Sequence, residues 1–228
     1  MLSAERVSRR PRYSRAVSAD LVRKLISHDR EFGARFVAGA DEAGRGSLAG
    51  PLSAAAVVLD LERLSGSRAR ALAELRDSKQ CAPLVRERLL LAVLALSELV
   101  VVETVPAGEI DRCGLHKSNL HALERALAGC VPLAQVCLVD GFSLGPEAPP
   151  HVAIVGGDDK SAAIACASIV AKVVRDRMMR RLDALYPAYG FADHVGYITG
   201  AHSAAVRRHG PSAVHRLSFR AACYERSA

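Results

Sequence analysis

The sequence lacks the patterns that mark several common classes of protein. It has six cysteines but no Cys-x-x-Cys pair, so we expect neither a zinc site nor a disulfide framework. Its first residues have no apolar core like that of a signal peptide, and no later run is long and apolar enough to span a membrane. It contains no internal repeat or low-complexity tract. These absences predict a cytoplasmic globular protein with no membrane partner.

The composition is that of a basic protein with one substantial core. Half of the 228 residues are hydrophobic, which is enough for one domain and a small appended region. The formal net charge of +7 fits a polyanionic partner, although many basic proteins bind nothing charged. Arginines in residues 1–15 form a basic arm that either solubilises the chain or adds nonspecific affinity for phosphates. We expect a monomer.

Apolar runs and helical periodicity predict an α/β fold with one mixed sheet. Three early strands are separated by turns and helices, and two later strands are linked through helices. The predicted strands are 36–40, 52–59, 99–105, 135–139 and 152–155. The predicted helices are 19–31, 83–96, 115–128 and 162 to about 186, with short helices after them and a loop at 142–150.

The most informative motif is an acidic pair followed by a turn. Asp41 and Glu42 end an apolar stretch, and Gly44-Arg45-Gly46, the glycine turn, follows. Adjacent carboxylates raise each other's pKa unless a cation lies between them, and Mg²⁺ prefers oxygen ligands alongside substrate phosphates. The glycines allow positive φ and close approach of a nucleic-acid strand, while the arginine could pair with phosphate. By itself the acidic pair also fits an ordinary solvated turn.

Further carboxylates follow two later strands. Asp140 ends an apolar run, and Asp158 and Asp159 follow the predicted strand 152–155. Each has an ordinary alternative, since Asp140 could end its strand in a turn and either of the others could cap the next helix. Acidic side chains at comparable points of three strands would suit two divalent ions about 3.5–4 Å apart acting on a phosphodiester.

Six motifs in sequence order together resemble ribonuclease HII, the type 2 ribonuclease H. The resemblance extends from about residue 36 to residue 219. The motifs are 41–46 (DEAGRG), 77–79 (DSK), 139–141 (VDG), 157–158 (GD), 164–172 (IACASIVAK) followed by 175–176 (RD), and 210–212 (GPS) followed by 215–216 (HR).

The resemblance implies a ribonuclease H-like fold, with a mixed five-stranded sheet flanked by helices and a small helical C-terminal region. Together with the residues before it, it predicts three parts: a basic arm and short helix at 1–33, a catalytic domain at 34–187 and a region at 188–228 that completes the substrate site. It also implies four catalytic acidic residues that bind Mg²⁺ or Mn²⁺, with two ions in the reacting complex. These residues are Asp41, Glu42, Asp140 and Asp158, the last preferred to Asp159 because it follows glycine.

The implied activity is that of an endoribonuclease. It would hydrolyse the RNA strand of RNA/DNA hybrids and cut 5′ to ribonucleotides embedded in duplex DNA, leaving a 3′-hydroxyl and a 5′-phosphate, in ribonucleotide removal and primer RNA degradation. The glycine turn would recognise the ribose 2′-hydroxyl, and Tyr197 would pack against the deoxyribose that follows. The implied substrate-binding residues are Gly44, Arg45, Gly46, Tyr197, Lys79 and Lys172.

Some positions allow other interpretations. Lys79, Lys172 and Arg175 could contact phosphates or could be solvated surface residues. Val195 and Ile198 stand where the family usually has lysine and glycine. Losing the lysine removes a possible phosphate contact, and isoleucine adopts positive φ far less readily than glycine. These departures leave the placement of Tyr197 and the strength of junction recognition open.

Two rival functions are compatible with parts of this pattern. A junction-resolving or transposase-like nuclease would cut DNA that lacks ribonucleotides, but the glycine turn argues against it. A noncatalytic basic protein whose acidic residues are structural would bind hybrids with a steep salt dependence and release no product. The full set of acidic positions favours the enzyme.

Overall fold

Five strands form one mixed sheet in the computed structural model, which describes residues 15–73, 75 and 82–224, with the backbone alone for 15–19. The strands are β1 (Phe36–Ala43), β2 (Leu52–Asp60), β3 (Ser97–Val105), β4 (Val136–Asp140) and β5 (Val152–Ile154). Their order in the sheet is β3-β2-β1-β4-β5. β1 pairs antiparallel with β2, as β2 does with β3, whereas β4 runs parallel to both β1 and β5.

Helices cover both faces of this sheet. They are α1 (Arg15–Arg30), α2 (Gly66–Ala71), α3 (Pro83–Leu96), α4 (Ala107–Cys113), α5 (Leu115–Ala128), α6 (Ala162–Leu185), α7 (Phe191–His194) and α8 (Gly200–His209). Side chains of α1, α3 and α6 share one core with the sheet, and those of α4 and α5 share a second core on its other face. Successive residues of β1 alternate between these cores, Val37 in the first and Ala38 in the second. None of the described helices is long and apolar enough to cross a membrane.

The predicted fold class is confirmed, with differences at the ends of elements. The five predicted strands and four predicted helices are present, and α1 begins earlier than predicted. β1 continues to Ala43 rather than ending at residue 40, because β2 pairs with Asp41, Glu42 and Ala43 after the ladder to β4 has ended at Ala40. The acidic pair therefore lies within a paired strand rather than after it.

The C-terminal part packs around the loop between β1 and β2. Leu48 and Ala49 of this loop share a third core with Met179 of α6 and with residues of α7 and α8. Ala49 also forms an isolated β-bridge with His215. The segment that contains the glycine turn is thus enclosed by residues from much later in the chain. The predicted boundaries after residues 33 and 187 stay predictions, and the arm at 1–14 lies outside the described residues.

Gly39 allows α6 to lie directly against β1. A Cβ at Gly39 would overlap the backbone of Ala163 and Ile164, and the backbone of a packed helix cannot move aside cheaply. We expect Gly39→Ala to lower the free energy of unfolding by about 3 kcal/mol, as overpacking does. Urea denaturation followed by circular dichroism measures this change.

The matched control is Gly108→Ala. Gly108 lies in α4, and a Cβ there would meet no atom within 4 Å. Alanine loses less backbone entropy than glycine in a helix, so the control should raise the free energy of unfolding by about 0.5 kcal/mol. Equal losses of stability in the two variants would contradict the close approach of α6 to β1.

Candidate active site

The carboxylates of Asp41, Glu42 and Asp140 lie near enough for their charges to act on one another where β1 and β4 run side by side, and they are called the carboxylate cluster. The parallel ladder ends with the pair Ala40 and Val139, so Asp41 and Asp140 are the next residues on adjacent strands. Burial has the largest effect in raising the pKa values of Asp41 and Glu42, and the negative charge of Asp140 raises both further. The structure therefore brings together three of the four acidic residues that the sequence predicts.

Asp41 is the most deeply placed of these side chains, with 3% of its surface exposed. Burial, followed by the charges of Glu42 and Asp140, raises its pKa to about 7, although the nearby Ser168 hydroxyl and the Glu42 N–H lower it in part. The Glu42 N–H donates to Asp41 Oδ1 at 2.7 Å, whereas Oδ2 is buried without a hydrogen-bond partner. An unsatisfied carboxylate oxygen among like charges is what a hard divalent cation would neutralise, so these residues fit such an ion.

Glu42 joins the carboxylate cluster to the glycine turn. Arg45 Nη1 donates to Glu42 Oε1 at 3.3 Å, and the Arg45 guanidinium lies over the ring of Phe142 at 5.4 Å. Burial raises the pKa of Glu42 most strongly, while Arg45 and, more weakly, Asn119 lower it. The guanidinium is therefore held at the edge of the carboxylate cluster, with 42% of its side chain still exposed.

A short 3₁₀ turn, Gly157–Asp159, lies against the end of β4. Its first N–H donates to Asp140 Oδ1 at 2.6 Å, and Asp158 follows directly as a half-buried residue of the same turn. Neither Asp158 nor Asp159 is the N-cap of α6, because Ser161 occupies that position and its hydroxyl accepts a hydrogen bond from the first turn of the helix at 3.2 Å. The capping interpretation of these aspartates is therefore wrong.

The acidic residues do not form a closed set of metal ligands. Within the described parts of the chain, no three His, Cys, Asp or Glu side chains are placed together as a metal-binding group. An open arrangement suits Mg²⁺, which keeps several waters and takes further oxygen ligands from substrate phosphates. The metal site stays a prediction, and its support is the unsatisfied oxygen of Asp41.

A cavity of about 450 Å³ opens beside Glu42. Five of the six predicted substrate-binding residues surround it, and the sixth, Lys79, lies outside the described residues. Tyr197 is 38% exposed, and Lys172 Nζ lies 5.5 Å from the centre of its ring. The residues that line the cavity are Glu42, Ala43, Gly44, Arg45, Gly46, Ser168, Lys172 and Tyr197.

Two buried arginines hold the glycine turn and its neighbours in place. Arg216 donates hydrogen bonds of 2.7, 3.0 and 3.0 Å to the carbonyls of residues 44, 45 and 50. Arg175 donates bonds of 3.2, 2.9 and 2.9 Å to those of residues 49, 51 and 195. Because Arg175 is fully buried, its interpretation as a phosphate contact or a solvated surface residue is wrong. Both arginines instead fix the backbone around the cavity.

The departures from the family pattern affect the backbone at Val195 rather than at Ile198. Among the described residues, Val195 is the one non-glycine residue with positive φ, at 45°. Ile198 does not adopt the positive φ that isoleucine disfavours. The strain falls on valine, whose branched Cβ makes the left-handed region costly, and the bond from Arg175 to its carbonyl helps to hold this conformation.

Sequence reasoning missed Asn119, which lies on α5 beside Glu42. The side chain is fully buried, and neither of its polar atoms has a partner with good hydrogen-bond geometry. It still lies close enough to Glu42 to lower the pKa of that carboxyl. Asn119 shares the buried face of α5 with Ala122 and Leu123, three and four residues later. A polar residue on the apolar face of a predicted helix is a signal that could have found it.

Without a bound cation, ionisation of Asp41 opposes folding. Its folded-state pKa of about 7 lies above its unfolded value of about 3.9, so the folded protein keeps a proton that the unfolded chain releases. The contribution of Asp41 to stability should fall as pH rises from 4 to 7, by on the order of 4 kcal/mol. In chelator at pH 8, Asp41→Asn should therefore have a higher Tm than the wild type.

Thermal unfolding at two pH values checks this sign. The difference in Tm between Asp41→Asn and the wild type should be large at pH 8. It should be much smaller at pH 4, where the carboxyl is protonated in the folded state and about half protonated in the unfolded chain. Added Mn²⁺ should reduce the difference at pH 8 by stabilising the wild type. A wild type that is more stable than the variant at pH 8 in chelator would contradict the buried, unsatisfied carboxylate.

Comparisons with known proteins point to nucleases. A sequence model for the family Ribonuclease HII matches residues 38–222. The chain is 48% identical over 187 residues to Ribonuclease HII of Salinispora arenicola, across 82% of this chain and 68% of that protein. The fold is similar to that of ribonuclease H2 from Pyrococcus horikoshii, with a TM-score of 0.67 and 26% identity over 81% of this chain and 94% of that one. It is also similar to that of Bst-RNase HIII in complex with Mn²⁺, with a TM-score of 0.65 and 19% identity over 97% of this chain and 74% of that one.

Proposed function

The chain belongs to the ribonuclease HII family and is a metal-dependent ribonuclease H, and we propose that it cuts the RNA strand of RNA/DNA hybrids and the phosphodiester 5′ to ribonucleotides embedded in duplex DNA. The observation that carries the proposal is the position of Glu42, which belongs both to the carboxylate cluster and to the lining of the cavity. Hydrolysis and recognition of the ribonucleotide would therefore take place in one connected site.

Asp41, Glu42, Asp140 and Asp158 would hold the divalent ions. The fit rests on the unsatisfied Asp41 Oδ2 and on the like charges around it. Mg²⁺ and Mn²⁺ both suit carboxylate and water ligands, and the Mn²⁺ complex of Bst-RNase HIII, which shares the fold, supports a divalent cofactor. When bound, two such ions supply the positive charge that activates water and stabilises the leaving 3′ oxygen.

The glycine turn and Tyr197 would place the substrate. A Cβ at Gly46 would meet no protein atom within 4 Å, so a strand can approach this backbone closely enough for it to recognise the 2′-hydroxyl that distinguishes RNA from DNA. The exposed part of the Tyr197 ring would pack against the deoxyribose beyond the ribonucleotide. Lys172, whose Nζ donates to Asp176 at 2.8 Å, would approach a backbone phosphate, as would Lys79.

The same proposal covers the products and the setting of the reaction. Water would attack the phosphorus, leaving a 3′-hydroxyl and a 5′-phosphate, and no covalent enzyme intermediate is needed. The enzyme would act as a monomer in the cytoplasm, where it would remove ribonucleotides from DNA and degrade primer RNA.

Cleavage of three labelled duplexes tests the proposed function. One carries a single ribonucleotide, one is entirely DNA, and one is a long RNA/DNA hybrid, each incubated with Mg²⁺, Mn²⁺ or chelator. We expect metal-dependent cleavage of the first and third duplexes and an intact all-DNA duplex. Cleavage of the all-DNA duplex would favour a junction-resolving type of nuclease. Salt-sensitive binding without any product would favour the noncatalytic interpretation.

A further inference from the structure

A chain of hydrogen bonds through two buried histidines ends on the backbone of Tyr197. His202 Nδ1 lies 2.9 Å from the Tyr197 carbonyl oxygen, and His202 Nε2 lies 3.0 Å from His215 Nε2. At the other end, the Ser212 N–H donates to His215 Nδ1 at 2.9 Å, and the Ser212 hydroxyl lies 2.8 Å from the same nitrogen. The two histidines are 0% and 2% exposed. The chain therefore links the segment after α8 to the tyrosine at the cavity.

The groups at the two ends determine where each proton lies. The Ser212 N–H can only donate, so His215 Nδ1 accepts and the neutral ring carries its proton on Nε2. That proton faces His202 Nε2, which must accept it, and the proton on His202 Nδ1 then donates to the Tyr197 carbonyl. Protonation of either ring would bring two N–H groups face to face. All three links therefore exist only when both imidazoles are neutral.

The surroundings favour neutral imidazoles. Burial lowers the pKa of His202, and burial together with the facing His202 lowers that of His215 to about 4. His194 stacks on His202 at 4.2 Å between ring centres, while Tyr189 and Tyr224 lie 4.9 and 6.3 Å from His215. These rings carry no negative charge near neutral pH.

We propose that His202 and His215 are positioning residues that hold Tyr197 at the mouth of the cavity, facing the deoxyribose beyond the ribonucleotide. This inference rests on the proposed function and deepens it. The backbone before Tyr197 is unusual, since Val195 and Gly196 have φ values of 45° and 83°. The Tyr197 N–H donates to the His194 carbonyl at 3.0 Å, and the histidine chain binds the Tyr197 carbonyl. Both polar groups of this residue's backbone are thus fixed.

A double-mutant cycle on cleavage of the single-ribonucleotide duplex tests the proposal. His202→Leu removes both side-chain hydrogen bonds, and we expect KM to rise about tenfold with a smaller change in kcat. In a protein that already carries Tyr197→Ala, the same change should raise KM less than about twofold, because the positioned ring is gone. His202→Asn retains an N–H near the place of Nδ1 and should recover most of the loss in KM. His209→Leu, on the exposed face of α8, is the matched control.

The outcomes separate positioning from simple packing. Equal rises in KM with and without the Tyr197 ring would overturn the proposal, because the histidines would then act independently of it. An NMR measurement on the wild type tests the proposal without any activity, and it can still be made if the leucine variant fails to fold. Long-range ¹H–¹⁵N spectra at pH 7 should show His202 protonated on Nδ1 and His215 protonated on Nε2. The opposite tautomers, or imidazolium rings, would overturn it. A wild type that shows the expected tautomers but does not cut the duplex would count against the proposed function alone.

Discussion

Asp41→Asn is expected to reduce cleavage of a ribonucleotide-containing duplex by about a thousandfold or more while the protein stays folded. The amide keeps the shape of the side chain and can still accept the hydrogen bond from the Glu42 N–H. It lacks the charge that a divalent ion requires at the buried, unpartnered oxygen. Because such ions contribute several kcal/mol of charge stabilisation in the transition state, and each 1.36 kcal/mol changes the rate tenfold, their loss has this large effect.

Single-turnover kinetics with saturating enzyme measure this prediction without the influence of product release. The matched control is Asp20→Asn, an exposed position on α1 that pairs with Lys24, and its rate should match that of the wild type within about twofold. A wild-type rate in Asp41→Asn would refute the carboxylate mechanism. Circular dichroism on the same sample ensures that a lost rate does not reflect unfolding.

Gly44→Ala should disable the glycine turn through two separate effects. Gly44 has φ +92°, a region that costs an L-residue about 1–2 kcal/mol. A Cβ there would also overlap the side chain of Arg175, which bonds three neighbouring carbonyls, including that of Val195. The disturbance should therefore reach the segment before Tyr197. We expect a lower Tm and a kcat/KM on the single-ribonucleotide duplex reduced about a hundredfold.

Gly46→Ala distinguishes damage to the turn from obstruction of the substrate. A Cβ at Gly46 would meet no protein atom within 4 Å, so the Tm of this variant should equal that of the wild type. If the backbone contacts the ribose, the added methyl group should still raise KM by about tenfold. Unchanged kinetics in both glycine variants would contradict the role of this turn in recognition, and equal losses of Tm would contradict the difference in space around them.

The carboxylate cluster could be predicted because its signals are local. Asp41 and Glu42 stand between an apolar run and a glycine turn, and Asp140 follows a short apolar run that forms a central strand. Adjacent parallel strands then bring their carboxyl ends to one edge of the sheet. The sequence did not show that β1 continues through the acidic pair, because this depends on antiparallel pairing with β2 beyond the point where β4 stops.

The supports of the cavity could not be predicted because they depend on long-range packing. Arginine is rarely fully buried, yet Arg175 and Arg216 are buried and bond carbonyls more than a hundred residues earlier in the chain. The pairing of His202 with His215 likewise follows from the way the C-terminal part folds around the β1–β2 loop. Sequence spacing alone gave these four residues no common role, and their burial became visible only in the structure.

If the four acidic residues act with divalent ions to hydrolyse the phosphodiester 5′ to a ribonucleotide, the products must carry particular chemical ends. A DNA duplex with one ribonucleotide would be cut in Mg²⁺, Mn²⁺ or chelator, and its labelled products compared with synthetic markers. We expect one metal-dependent cut that leaves a 3′-hydroxyl and a 5′-phosphate. A 2′,3′-cyclic phosphate, formed with or without metal, would contradict it, because the ribonucleotide's own 2′-hydroxyl would then be the nucleophile.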